Sequence, residues 1–189
     1  MAEQERTAWS RIARRIRVPL GFVFGVLYLW LAQPKWISIA LGMIFILPGL
    51  LVRAIASGHV RKNETLATSG PYAYTRNPLY LGSLLMGVGF GVAARSWWIG
   101  LLLLAMFFLI YVPVISDEEK FLRKKFPEFE QYAREVPRLF PRLLPHRAEL
   151  SGTGGSFSTE LFLKHREYNA ALGVAIMLGA LVIKLIWLR

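Results

Sequence analysis

Five stretches of the chain are almost wholly apolar: Val18 to Ala32, Trp36 to Val52, Pro78 to Ala94, Trp97 to Ile115 and roughly Ala170 to Leu188. Each approaches the ~20 residues an α-helix needs to cross a hydrocarbon core. The connectors Gln33–Lys35 and Arg95–Ser96 are too short for anything but tight turns between antiparallel helices. A signal peptide is the alternative reading of the first and shortest stretch. Against it, no small-residue cleavage site precedes Lys35 and a second apolar block follows at once. The pattern predicts an all-α integral membrane protein, a bundle of about five transmembrane helices with a cytoplasmic amphipathic segment.

Two polar stretches interrupt the apolar blocks, Arg53 to Asn77 and Asp117 to Tyr168. In "SDEEKFLRKKFPEFEQYAREVPRLFP" the residues Phe121, Leu122, Phe126, Phe129 and Tyr132 recur at helical spacing with basic residues between them. Such a pattern predicts an amphipathic helix resting on a membrane surface. Pro137, Pro141 and Pro145 end regular structure, and "SGTGGS", Ser151 to Ser156, reads as a flexible spacer. The expected organisation is a basic N-terminus over 1–17, a four-helix core over 18–145, a linker over 146–167 and an added helix over 168–189. The core carries the polar loop 53–77 and the polar segment 117–145.

Composition narrows the function. Of 189 residues 54% are hydrophobic, and the formal net charge is +11. A basic balance suits nucleic acid or an anionic membrane surface, and the apolar blocks favour the membrane. All of the 23 Lys and Arg except Lys35, Arg95, Lys184 and Arg189 fall on one side if the N-terminus is cytoplasmic. That asymmetry follows the positive-inside rule, and Trp30, Trp36, Trp97, Trp98 and Trp187 then lie near the outer interface as an aromatic belt. The chain has no cysteine, which excludes thiolate and disulfide chemistry, and its three scattered histidines argue against a metal site. Membrane lipids are the expected surroundings, with neither nucleic acid nor metal as a partner.

The stretch "GPYAYTRNPLYLG", Gly70 to Gly82, is the main concentration of candidate chemistry. Asn77 followed by Pro78 reads as an N-cap with proline at the first helical position, so a helix should begin there. Its unpaired amides and positive dipole end favour an anionic group in the loop. Arg76 adds a cation, and Tyr72, Tyr74 and Tyr80 add rings suited to a bound cation. Asp117, Glu118 and Glu119 are expected to end the next helix of the hairpin at the same membrane depth. Carboxylates at a helix C-terminus need a compensating partner, and Arg76 is the obvious one. Smaller signals have plainer readings: Gly87-x-x-x-Gly91 is a helix-packing motif, and Lys184 is expected to snorkel.

"NETLATSGPYAYTRNPLYLG" followed by "EEKFLRKKFPEFEQYAREVPRLFP" resembles the membrane methyltransferases of the isoprenylcysteine carboxyl methyltransferase type and their phospholipid methyltransferase relatives. The similarity covers roughly Gly58 to Pro141. It implies S-adenosyl-L-methionine as cofactor and a lipid-like or amphiphilic methyl acceptor, with the active site on the cytoplasmic side. His59, Leu66, Gly70, Tyr72 and Tyr74 correspond to walls of the cofactor pocket. Arg76 corresponds to the motif arginine, and Pro78 and Tyr80 to the residues after it. Glu118 and Glu119 correspond to paired acids that hold the cofactor's amine, its ribose or Arg76. The resemblance places Arg76, Asn77 and Glu119 at the reacting centre. Carboxyl methyltransferases usually read Arg-His-Pro, whereas Asn77 follows the phospholipid methyltransferase version. Two other classes stay open: an NADPH-dependent reductase of the sterol-reductase kind, and a non-catalytic membrane interaction protein.

Overall fold

The computed structural model describes residues 21–61, 64–145 and 156–187, so the basic N-terminus and most of the glycine-serine spacer lie outside the described residues. All regular structure among the described residues is helical. The helices are α1 (Gly21–Leu31), α2 (Trp36–His59), α3 (Pro78–Ala94), α4 (Trp97–Lys125), α5 (Phe129–Glu135), α6 (Thr159–Lys164) and α7 (Tyr168–Trp187). Of these, α2, α4 and α7 are long and apolar enough to cross a membrane, while α1 and α3 are shorter apolar helices. Together they form an all-α membrane protein. Large apolar side chains such as Phe22, Ile44, Leu104, Ile176 and Ile183 are more than half exposed, which suits lipid rather than water.

The chain forms two compact units. The first comprises Met1–Ile46, Gly87–Phe121 and Val174–Arg189. Its core is a cluster of Tyr28, Ala32, Ala93, Ala94, Ile99 and Leu181. Small side chains let backbones approach, and buried hydroxyls then bond across helices as apolar surroundings demand. The Tyr28 hydroxyl donates to the Phe90 carbonyl at 2.9 Å and the Ser38 hydroxyl to the Ala93 carbonyl at 3.0 Å. Lys184, expected to snorkel, has defined partners. Its ammonium donates to the carbonyls of Leu29 and Trp30, at the C-terminal end of α1 where carbonyls lack helical donors and a cation is favoured. The five tryptophans of the expected belt all belong to this unit, each more than half exposed.

The fourth apolar stretch continues past its expected end. Helix α4 runs on to Lys125, so Asp117, Glu118 and Glu119 sit inside it rather than at its terminus. Hydropathy falls at Ser116, but Glu, Lys, Leu and Arg are good helix formers, and Arg123, Lys124 and Lys125 in the last turn suit the dipole. Over Phe107–Tyr111 the helix widens into a π turn in which the Val112 amide donates to the Phe107 carbonyl. Pro113 follows directly and cannot donate to the carbonyl four residues back, which accounts for the irregular turn.

The second unit comprises Leu47–Met86 and Leu122–Gly173. Here α2 and α3 meet through Gly49 and Gly82: a Cβ on Gly49 would lie 2.7 Å from the Gly82 carbonyl oxygen. The same close approach recurs in the first unit between Gly42 and Gly89. Gly87 and Gly91, the pair that the GxxxG motif singled out, make only ordinary contacts with Leu103. The stretch read as a linker also carries structure. The Ser158 amide donates to the Gly58 carbonyl, His165 Nδ1 bonds the Ser57 carbonyl, and Glu167 forms a bidentate pair with Arg53 at 2.8 and 2.9 Å. Arg53 is further tied to the Ser83 hydroxyl at 2.6 Å and the Leu79 carbonyl.

Two outcomes are expected of the purified full chain on thermal unfolding. Gly49→Ala and Gly82→Ala should each destabilise by about 1–3 kcal/mol by overpacking, whereas Gly100→Ala, whose Cβ meets nothing within 4 Å, should be neutral or stabilising. Glu167→Ala should cost about 1–3 kcal/mol, because it leaves a half-buried Arg53 without its charge partner.

Candidate functional site

Within the second unit the residues just before α3 are held by the segment that follows α5. The Arg76 amide donates to the Pro137 carbonyl at 3.0 Å, and the Arg142 amide to the Tyr74 carbonyl at 3.0 Å. The Thr75 hydroxyl donates to the carbonyl of Leu139 at 2.9 Å, and the Asn77 side-chain amide to that of Arg138 at 2.9 Å. Thr75 and Asn77 are buried polar residues, and these bonds supply the partners such burial requires. The Asn77 carbonyl accepts the first helical bonds of α3, from Tyr80 and Leu81, as the capping pattern predicts. These four hydrogen bonds join residues 74–77 to the strap 137–142, two between backbones and two from the side chains of Thr75 and Asn77 to strap carbonyls.

Beneath this junction lies a small apolar core of Phe126, Phe129, Tyr132 and Val136, with Leu66 and Leu122 packed against it. These include most of the positions expected to face a membrane surface. Their helical periodicity is real, but the face it creates packs against the loop: Phe129 is 1% exposed and Tyr132 4%. The Tyr132 hydroxyl donates to the Tyr72 carbonyl at 2.7 Å, fixing the short 3-10 turn Gly70–Ala73. The Phe129 ring has two guanidinium groups near it, Arg76 at 6.0 Å and Arg123 at 5.8 Å from its centroid, and Arg123 also pairs with Glu130. A cation near an aromatic ring is attracted to its negative face.

The start of the loop meets the end of α2. His59 Nδ1 lies 2.8 Å from the Ile55 carbonyl oxygen, and since a carbonyl only accepts, that nitrogen carries a proton. Gly70 abuts that ring: a Cβ there would fall 2.6 Å from Nε2, and its φ of +57° is left-handed. Both facts call for glycine. On the other side of His59, the Phe157 ring stands 6.1 Å away, centroid to centroid.

The second unit therefore gathers His59, Leu66, Gly70, Tyr72, Arg76 and Asn77 around one loop, with Pro78 and Tyr80 opening α3. Tyr72 and Pro78 are buried, while Tyr74 is exposed. Glu118 and Glu119 lie on the part of α4 assigned to the first unit, both half-buried, beside a buried Asp117 that faces Lys120 at 3.7 Å. Thr75, Tyr132, Arg53, Glu167 and Phe157 did not emerge from the sequence. Tyr132 was visible only as one position of an amphipathic face, and nothing local marks the other four. No group of three or more His, Cys, Asp or Glu able to hold a metal ion occurs among the described residues.

Comparison with known proteins gives two related chains. The cobalt-zinc-cadmium resistance protein CzcN of Cupriavidus metallidurans is 40% identical over 123 residues, 62% of this chain and 57% of that protein. The nickel-cobalt-cadmium resistance protein NccN of Alcaligenes xylosoxydans xylosoxydans is 38% identical over 119 residues, 60% of this chain and 56% of that protein. The chain thus spans less than two thirds of the length of either relative. No solved structure gives a significant match. Residues 37–128, which hold most of α2, all of α3, the loop with Arg76 and Asn77 and the whole of α4, match the phospholipid methyltransferase family.

Proposed function

We propose that the chain transfers a methyl group from S-adenosylmethionine to a membrane-borne or amphiphilic acceptor carrying a carboxylate or an amine, at the cytoplasmic face. The observation that carries this reading is the anchoring of Arg76. Its backbone is bonded to Pro137 and its guanidinium stands near Phe129, at the base of an apolar helix and within the family-matched stretch. The donor set of the second unit suits the cofactor: a guanidinium for its carboxylate and aromatic rings for its base and sulfonium.

When bound, that cofactor supplies an already activated methyl group, so the protein's task is to hold donor and acceptor in line. Arg76 orients a carboxylate, that of the cofactor or of an acidic acceptor. Asn77 fixes the base of α3 through the Arg138 carbonyl. His59, Leu66, Gly70, Tyr72 and Tyr74 would wall the cofactor, with Pro78 and Tyr80 closing the turn into α3. An amine acceptor must lose a proton before transfer, and His59 or a glutamate carboxylate would serve as the base. The cytoplasmic assignment rests on the one-sided distribution of Lys and Arg.

Titration of the purified protein with S-adenosylhomocysteine and, separately, with NADPH tests the reading. Binding of the first alone is expected; binding of NADPH alone points to a reductase, and binding of neither to a non-catalytic role. Arg76→Ala should weaken S-adenosylhomocysteine at least tenfold, about 1.4 kcal/mol. Arg76→Lys should recover only part, since an ammonium lacks the planar fork.

The acceptor is sought by incubating lipid extracts with methyl-labelled cofactor and identifying the labelled product. Both relatives are named as metal resistance proteins, so the extracts should come from cells grown with and without cobalt, zinc, cadmium and nickel. Label is expected in an organic-soluble amphiphile.

A further inference from the structure

The strap that grips the loop has a second face. From Val136 to Pro145 the chain reads "VPRLFPRLLP", with three prolines, two arginines and no acid. Its backbone is tied inward: the carbonyls of Pro137, Arg138 and Leu139 accept from Arg76, Asn77 and Thr75, and the Arg142 amide donates to Tyr74. Its large side chains point the other way. Phe140 is 73% exposed, Leu143 97% and Leu144 72%. Three such residues close together are too costly to leave in water without a partner.

We propose that Phe140, Leu143 and Leu144 insert into the headgroup–acyl boundary of an anionic lipid leaflet, anchoring the strap and, through it, the loop of Arg76. Position supports lipid as the occupant. The strap is bonded to residues 74–77, directly before the apolar helix α3, so it lies at the level where that helix leaves the aqueous phase. Charge supports it as well, because Arg142 sits between Phe140 and Leu143 in a stretch without acids, and basic residues near a membrane are drawn to anionic headgroups. The backbone permits shallow entry. Pro137, Pro141 and Pro145 bring no amide to desolvate, and the bonds to the loop already satisfy much of the rest. The membrane contact expected of Phe126, Phe129 and Tyr132 is thereby moved about ten residues along the chain, since those rings are enclosed by the protein. The inference is independent of the methyltransferase reading.

Because the chain has no cysteine, single-cysteine variants report one site each. Leu143→Cys and Phe140→Cys in the full chain are labelled with an environment-sensitive fluorophore and reconstituted into phosphatidylglycerol vesicles, with Gln131→Cys on the exposed side of α5 as the reference. At 143 and 140 the emission should be blue-shifted, quenched by bromine on the acyl chains, and severalfold less accessible to iodide than at 131. Water-like emission at both positions overturns the proposal. So does an emission that is shielded from iodide but untouched by brominated lipid, which would mean that protein, a second copy or a partner, covers the strap.

Discussion

The geometry of the candidate site depends on the junction of two short backbone segments, residues 74–77 and 137–142. Residues that lead into an apolar helix cannot leave their amides and carbonyls unpaired beside lipid, where each lost hydrogen bond costs several kcal/mol. Here the partners come from a segment some sixty residues away in sequence, through the carbonyls of Pro137, Arg138 and Leu139. Once that pairing forms, Arg76 has a defined backbone position, Asn77 can both cap α3 and hold the strap, and Tyr72 is within reach of Tyr132. The cluster of Phe126, Phe129, Tyr132 and Val136 supplies the apolar burial that keeps the two segments together.

The same junction explains why an amphipathic segment need not be a membrane-surface helix. Periodicity reports that a helix has an apolar face and is silent on what covers it. In this chain the loop carrying Leu66 and Tyr72 covers the face of α5, and the exposed apolar residues are displaced into the proline-rich strap beyond it. The proposed methyl transfer would benefit from this arrangement. A loop tied to a membrane-seated strap would meet an amphiphile at the depth where its polar head lies.

The segment after the spacer bears on the site from the other end. Glu167 neutralises Arg53, His165 bonds the Ser57 carbonyl, and Phe157 stands over Gly58 and His59. All of these contacts fall on the last two turns of α2, whose final residue abuts Gly70. A charged Arg53 within a mostly apolar helix is tolerable because a carboxylate, a hydroxyl and a carbonyl all converge on its guanidinium. The family match ends at residue 128, so Phe157, His165 and Glu167 and the whole of the strap lie outside it.

The sequence alone determined the class of the molecule, because crossing lipid imposes a length and a hydropathy that composition cannot disguise. It marked the helices α1, α2, α3, α4 and α7 and the turn at Asn77–Pro78 by local signals, while His59 and Leu66 were singled out only by the family resemblance. It placed the end of α4 too early, at Asp117–Glu119, since hydropathy falls there while helix propensity does not, and it read Gly87 and Gly91 as a contact that Gly49–Gly82 and Gly42–Gly89 make instead. Only the tertiary structure decided that Thr75 and Asn77 hold the 138–139 carbonyls, that Glu167 meets Arg53 and that the α5 aromatics turn inward. These are pairings between distant segments, and which segments meet is settled by burial and backbone satisfaction across the whole fold rather than by any local pattern.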